Sequence, residues 1–166
     1  MPMNKILTSL IEFLEAKSLS YDPDEEAQAV RLGVEAANLR WRCFACKDDS
    51  GRFVFVSLIP IKAPEARRVA CAEVLCRINA RLGLGHFDMD FNDGELVFRT
   101  VVPLAKRGRL SADLIEHLLQ GHTVVVDRFI PAITSVVFSG QSPKKALALL
   151  EESTEDAPAR EQFSLN

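Results

Sequence analysis

Asn92-Asp93-Gly94, set between two alternating apolar runs, restricts this chain more than any other feature it carries. Before the turn, Phe87, Met89 and Phe91 alternate with Asp88 and Asp90; after it, Leu96, Phe98 and Val102 stand against Arg99. Alternation with a period of two sends successive side chains to opposite faces of a strand. A glycine after Asn or Asp supplies the positive φ that a tight hairpin turn requires. Residues 86–104 are therefore expected to form an antiparallel hairpin, with the phenylalanines inward and the carboxylates outward.

A second alternating region lies upstream. Ala27–Val34 and Leu39–Lys47 both read as strands, the latter with Leu39, Trp41, Cys43 and Ala45 on one face and Arg40, Arg42 and Phe44 on the other. Asp48-Asp49-Ser50-Gly51 makes a turn into Arg52–Ile59, which is apolar on both faces, as a central and covered strand is. Pro60 and Pro64 are expected to close this three-strand meander.

Helical spacing fills most of the remainder. Asn4–Lys17 repeats Ile6, Leu7, Leu10, Ile11, Phe13 and Leu14, and Ser18–Glu26 follows as a solvated acidic loop. Pro64 suits a first helical turn, so Glu65–Leu82 is expected as a helix stopped by Gly83, with Val69, Ala72, Leu75, Cys76 and Leu82 on one side. Ser111 is a good N-cap, with Leu110 able to staple onto Ile115, for a helix running to about Phe138. Gly121 and Pro131 are expected to bend or split it, and Gly140 to stop it. Ser142-Pro143 opens a short last helix to about Glu152, and residues 153–166 read as an acidic, mobile tail. The expected architecture is one α+β domain over 1–152, an antiparallel sheet of a meander and a hairpin packed with helices, in the order α-βββ-α-ββ-α(α).

With 166 residues the chain can bury roughly 70% of its unfolded surface, so no metal or disulfide is needed to hold it together. Twenty basic and 23 acidic side chains leave a net charge of −3, which removes the positive field expected of a nucleic-acid or anionic-lipid binder. Four cysteines in apolar surroundings read as cytosolic thiols. Glu12 and Glu15 interrupt the first apolar stretch, against a signal peptide, and no apolar run approaches the about 20 residues of a membrane span. A cytoplasmic location is expected.

Each chemical motif meets a plainer explanation. Cys43-Phe44-Ala45-Cys46 has zinc-knuckle spacing, but residues three apart in a strand point to opposite faces, and Cys71 and Cys76 offer no second pair at that spacing. Asp88, Asp90 and Asn92 begin like a calcium loop that then places Asp93 and Arg99 where glycine and glutamate belong. Gly83-Leu84-Gly85 follows a helix rather than the strand that a dinucleotide loop requires. His86, His117 and His122 are scattered. Arg40, Arg42, Arg67, Arg68 and Arg77 could make a basic stripe with Trp41 and Phe44 interleaved, yet Trp41 falls on the core face. No catalytic residue, metal ligand or cofactor is expected. If the chain were instead an enzyme or small-molecule binder, its site would lie between the sheet and the long C-terminal helix, with Asp127, Arg128 and His86 as its polar members.

The stretch Ile78-Asn79-Ala80-Arg81-Leu82-Gly83-Leu84-Gly85-His86-Phe87-Asp88-Met89-Asp90-Phe91, continued through Asn92–Thr100 and resumed at Asp127-Arg128-Phe129-Ile130-Pro131-Ala132-Ile133, resembles the YbjN family of bacterial proteins. The order of elements is similar over nearly the whole chain. The resemblance implies the fold of type III secretion chaperones, acidic homodimers that hold an extended segment of a client protein, and a role in bacterial sensory regulation. It implies no catalytic residues. The helix expected at 142–152 is an addition to that chaperone pattern. The expected function is a non-enzymatic protein-binding module, chaperone-like or regulatory, acting in stress or sensory regulation or holding a client. The expected partners are a protein and a second copy of the chain, without nucleic acid or membrane. The segment Thr123–Phe138 is apolar nearly all round, more than one sheet face can cover, so Phe129 and Phe138 are candidate dimer or partner contacts. The resemblance implies that the Glu65–Leu82 helix could equally supply the contact, through Val69, Leu75 and Leu82, and the alternative is that all of these belong to the intramolecular core.

Overall fold

A computed structural model describes residues 2–104, 109–155 and 164–165. The described residues form helices α1 (Lys5–Ala16), α2 (Arg68–Asn79), α3 (Ala112–Phe138) and α4 (Pro143–Glu155). The strands are β1 (Asp22–Asp24), β2 (Ala29–Glu35), β3 (Arg40–Lys47), β4 (Phe53–Lys62), β5 (His86–Met89), β6 (Glu95–Val102) and β7 (Ser164–Leu165). All pair antiparallel in one sheet of order β1-β2-β3-β4-β6-β5, with β7 on the same strand, β2, that carries β1. The meander and the hairpin are joined because β6 returns to pair with β4, from Phe53 opposite Val102 to Ile59 opposite Leu96. The fold is the α+β class that the sequence implies.

The hairpin turn is held by its own acidic side chains. The Asp90 carboxylate accepts from the Asn92 backbone at 2.8 Å and that of Asp93 from the Glu95 backbone at 2.9 Å. Gly94 has φ +78°, and a Cβ there would stand 2.1 Å from the Ala63 carbonyl oxygen, so only glycine fits. Phe91 lies in this turn and is exposed, whereas the sequence had placed it inward; β5 ends at Met89 and its alternation goes no further.

Strands β2 to β6 each give one face to the helices. Val30, Leu32 and Val34 of β2, Trp41, Cys43 and Ala45 of β3, Phe53 and Phe55 of β4, Leu96 and Phe98 of β6 and Phe87 of β5 are buried together with the inner stripes of the helices. α1 is capped by Asn4, whose carboxamide oxygen accepts from the backbones of Ile6 at 3.1 Å and Leu7 at 3.2 Å. α3 is capped by Ser111, which accepts from Leu114 at 3.2 Å, and Leu110 and Ile115 are both buried behind the cap.

Several local expectations need correction. The acidic loop contains β1: Asp22–Asp24 pairs with the edge of β2, and the carboxylates of Asp22 and Asp24 take the Arg31 guanidinium. Pro23 is tolerated because an edge strand has one side free of ladder bonds. Pro60 does not end β4, which runs on to Lys62 with a register shift between Ile59 and Lys62 that accommodates the missing N–H. The helix expected from Glu65 begins as a 3₁₀ turn, Glu65–Arg67, becomes α-helical at Arg68 and ends at Asn79. Its buried stripe is Cys71, Val74, Leu75 and Ile78; Val69 and Cys76 point outward.

α3 is not split at Gly121 or Pro131. A proline inside a helix leaves the carbonyl four residues back without its N–H. That carbonyl belongs to Asp127, and the Asn38 side-chain amide donates to it at 3.1 Å. The Asp127 carboxylate accepts in return from the Asn38 backbone at 2.8 Å and from its side chain at 3.2 Å. The β2–β3 loop thus closes the gap that Pro131 opens. At the far end, the Arg67 guanidinium donates to the Val136 carbonyl at 2.6 and 3.0 Å and to that of Gln141 at 3.2 Å, satisfying last-turn acceptors with a positive charge. Contrary to the sequence expectation, α3 is by length and composition apolar enough to cross a membrane. Its packing accounts for the apolarity, since Leu118, Val126, Ile130, Ile133 and Val137 are all buried within the fold.

α4 runs to Glu155, past the expected end, and β7 pairs Leu165 with Val34. Of the tail expected to be mobile, residues 156–163 and 166 lie outside the described residues.

Candidate functional site

A polar cluster sits at the centre of the core, beneath α3. The Trp41 indole N–H donates to Ser57 Oγ at 2.8 Å, Ser57 Oγ lies 2.7 Å from His122 Nε2, and His122 Nδ1 lies 3.0 Å from Thr100 Oγ1. Cys43 Sγ is 3.2 Å from Ser57 Oγ. Strands β3, β4 and β6 supply one member or more each from facing inward positions, and α3 lowers the imidazole onto them. Phe55 and Phe98 meet the ring edge-on at 4.5 and 4.7 Å between centroids.

A serine, a histidine and a thiol in contact resemble a nucleophile with its base. Both Ser57 and His122 are 0% exposed, so no substrate reaches them. The electrostatics also run the wrong way for catalysis. Burial pushes His122 down to about 3 and the Cys43 thiol up to about 12, so both are neutral at physiological pH. An activated Cys–His pair requires the opposite shifts. Trp41 donating to Ser57, Ser57 to Nε2, and Nδ1–H to Thr100 is one assignment that satisfies each member. The cluster is a hydrogen-bonded structural centre. Sequence reading passed over His122 because its partners are spread over three strands.

The polar members of the alternative site do not converge. Asp127 is engaged by Asn38, Arg128 lies on the outer side of α3 with its guanidinium 5.5 Å from the Phe129 ring centroid, and His86 faces away from the helices, 3.2 Å from Asp88. The basic stripe does not assemble either: Arg40 pairs with Glu35, Arg77 with Glu73, Arg67 caps α3, and Arg68 donates to the Phe91 carbonyl at 2.9 Å. Cys43 faces the core and Cys46 the other side of the sheet, as the strand geometry requires.

Surfaces remain. Among the sequence-derived contact candidates, Leu75 and Phe129 are buried within the chain and Leu82 is partly buried against the core, while Val69 is 77% exposed and Phe138 61% exposed. The bonds from Arg67 to the end of α3 place these last two at the same end of the helical layer. A second apolar surface, which the sequence reading passed over, lies on the sheet. β4 is central, but its second apolar face carries no helix among the described residues. Val54, Val56 and Leu58 point to that side, flanked through the ladder by Phe44 and Cys46 on β3 and by Val97 and Val101 on β6, and these neighbours leave Val56 only 4% exposed. Leu58 is 46% exposed. Arg42 and Arg99 stand opposite Leu58 and Val56 on the same face. The signal was available in Phe44, Val97 and Val101, apolar residues at positions that alternation assigns to solvent.

Comparison with known proteins adds the following. The model of the YbjN family, described as "Putative bacterial sensory transduction regulator", matches residues 7–135. No curated protein matches the chain. Among solved structures, one described as "YbjN, a putative transcription regulator from E. coli" is similar with a TM-score of 0.52 and 16% identity, covering 92% of this chain and 96% of that one. At that identity the likeness speaks for the fold alone.

Proposed function

Since the chain belongs to the YbjN family, a family named for regulation rather than catalysis, we propose that it is a non-enzymatic protein-binding module. It acts in the bacterial cytoplasm, chaperone-like or regulatory, as a homodimer. The observation that carries this reading is the outer face of the sheet, where exposed Leu58 stands among half-buried apolar side chains of three central strands, beside Arg42 and Arg99, and no described helix packs. An apolar sheet face that no element of its own chain covers, rimmed by charge, suits contact with another protein. Arg42, and Arg99 at 3.9 Å from Asp88, give this border a positive charge that suits an acidic partner segment. Val69 and Phe138, on the opposite layer, supply the contact between copies.

The test is site-specific photo-crosslinking in the native cell. A photoreactive residue at Leu58 or Val97 is expected to capture one defined protein repeatedly, and the same residue at exposed Glu73 on α2 to capture none. Equal, unspecific adducts from both positions, or none from Leu58, would defeat the proposal.

A further inference from the structure

We propose that the cleft where α2, α3 and α4 meet binds a small anionic amphiphile, a carboxylate carried on an aliphatic chain, with Arg128 receiving the carboxylate. This goes beyond the protein-binding reading and does not depend on it. The cleft has a volume of about 490 Å³, within the range of small-molecule sites. Its walls are apolar: Leu82 and Leu84 follow α2, Val124 and Phe129 come from α3, and Leu147 from α4. Gly121 helps to keep it open, because a Cβ there would come within 3.2 Å of the Leu84 side chain.

Charge at the mouth selects the headgroup. Arg81 and Glu151 also line the cleft and pair with each other, which neutralises both. Arg128 has no carboxylate in ion-pair reach among the described residues. Its guanidinium offers planar, paired donors to a carboxylate. Val124 beside it is 45% exposed, an apolar wall open to an incoming chain. Size decides against a peptide helix. One helical turn, about 10 Å across and 5.4 Å long, occupies roughly 420 Å³, so the cleft would hold barely one turn.

The experiment is calorimetric titration of the full chain with decanoate below its micelle concentration, beside decanol and decylamine, with amide chemical shifts to locate the site. Decanoate is expected to bind once, saturably, and to shift Leu82, Leu84, Val124 and Arg128. Arg128→Gln should weaken decanoate about tenfold, the loss of one charged hydrogen-bond pair, and leave decanol unchanged. Val124→Glu should abolish decanoate binding. Both positions are exposed, and an unchanged thermal midpoint confirms that each variant is folded. Absence of saturable binding at millimolar decanoate overturns the proposal. So does an equal loss for decanol and decanoate in Arg128→Gln, or shifts confined to the outer sheet face. Vesicles of anionic phospholipid form a separate arm: recruitment to them without binding of monomeric decanoate assigns Arg128 to a lipid surface and also overturns it.

Discussion

His122 and Thr123 are neighbours on α3, both buried, with opposite fates. His122 has a partner for each ring nitrogen, whereas Thr123 Oγ1 has none. Removing an unpaired buried hydroxyl while keeping its shape relieves a desolvation penalty. Thr123→Val is therefore expected to stabilise the protein by about 1 kcal/mol, read as a higher denaturant midpoint at unchanged slope. His122 ties stability to pH. Its folded value, about 3, lies below the ordinary 6.5 because burial disfavours the imidazolium. Below pH 6.5 the unfolded chain takes up a proton that the folded chain refuses until about pH 3. The contribution is therefore complete above 6.5 and is lost as pH falls through that window, with a limiting slope of about 1.4 kcal/mol per unit. Asp24, Asp48 and Asp93 are held low chiefly by backbone N–H donors and act on the more acid side of it. Urea titrations at pH 7, 6, 5 and 4.5 should show this decline in the native protein, and His122→Gln should flatten it. Equal slopes in both would mean that His122 takes up its proton in the folded state.

The elements show which parts of the fold can be read locally. The β5–β6 hairpin and the meander were legible because alternation and turn chemistry lie within a few residues of each other. β1 was not, since its pairing is encoded partly in Arg31 on the next strand, and the outward turn of Val69 depends on how α2 meets the sheet. Pro131 was misread for the same kind of reason. The group that repairs its missing hydrogen bond is Asn38, 89 positions from Asp127. The central polar cluster likewise joins four separate elements, so no local motif announces it. A double-mutant cycle tests the Pro131 account. Asn38→Ala should cost about 1.5 kcal/mol, because it leaves a helix carbonyl and a carboxylate with fewer donors at a solvent-facing contact. In a Pro131→Ala background the restored N–H at 131 can serve the Asp127 carbonyl, and the same change should cost less by about 1 kcal/mol. Additive costs would show that Asn38 acts on the carboxylate alone.

At the scale of the whole molecule, the sheet divides the protein into a helical side that holds the core and a second side on which no described helix packs, with Leu58 exposed at its middle. The two exposed patches then make separable predictions. Val69 and Phe138 lie on the helical layer, Leu58 at the middle of the bare sheet face. If copies associate through the helical layer, light scattering after gel filtration should give a dimer mass at micromolar concentration. Val69→Glu with Phe138→Glu should reduce it to the monomer, since a symmetric contact places each introduced charge against the apolar patch of the other copy. Leu58→Glu should leave the dimer mass unchanged while ending cross-linking to the partner protein. All three positions are exposed, so the variants should keep the native thermal midpoint to within a few degrees. A native chain that is strictly monomeric at micromolar concentration removes the dimer from the proposal. A dimer dissolved by Leu58→Glu instead would place the second copy on the bare sheet face, and the arginine-bordered strip would then be an interface between like chains.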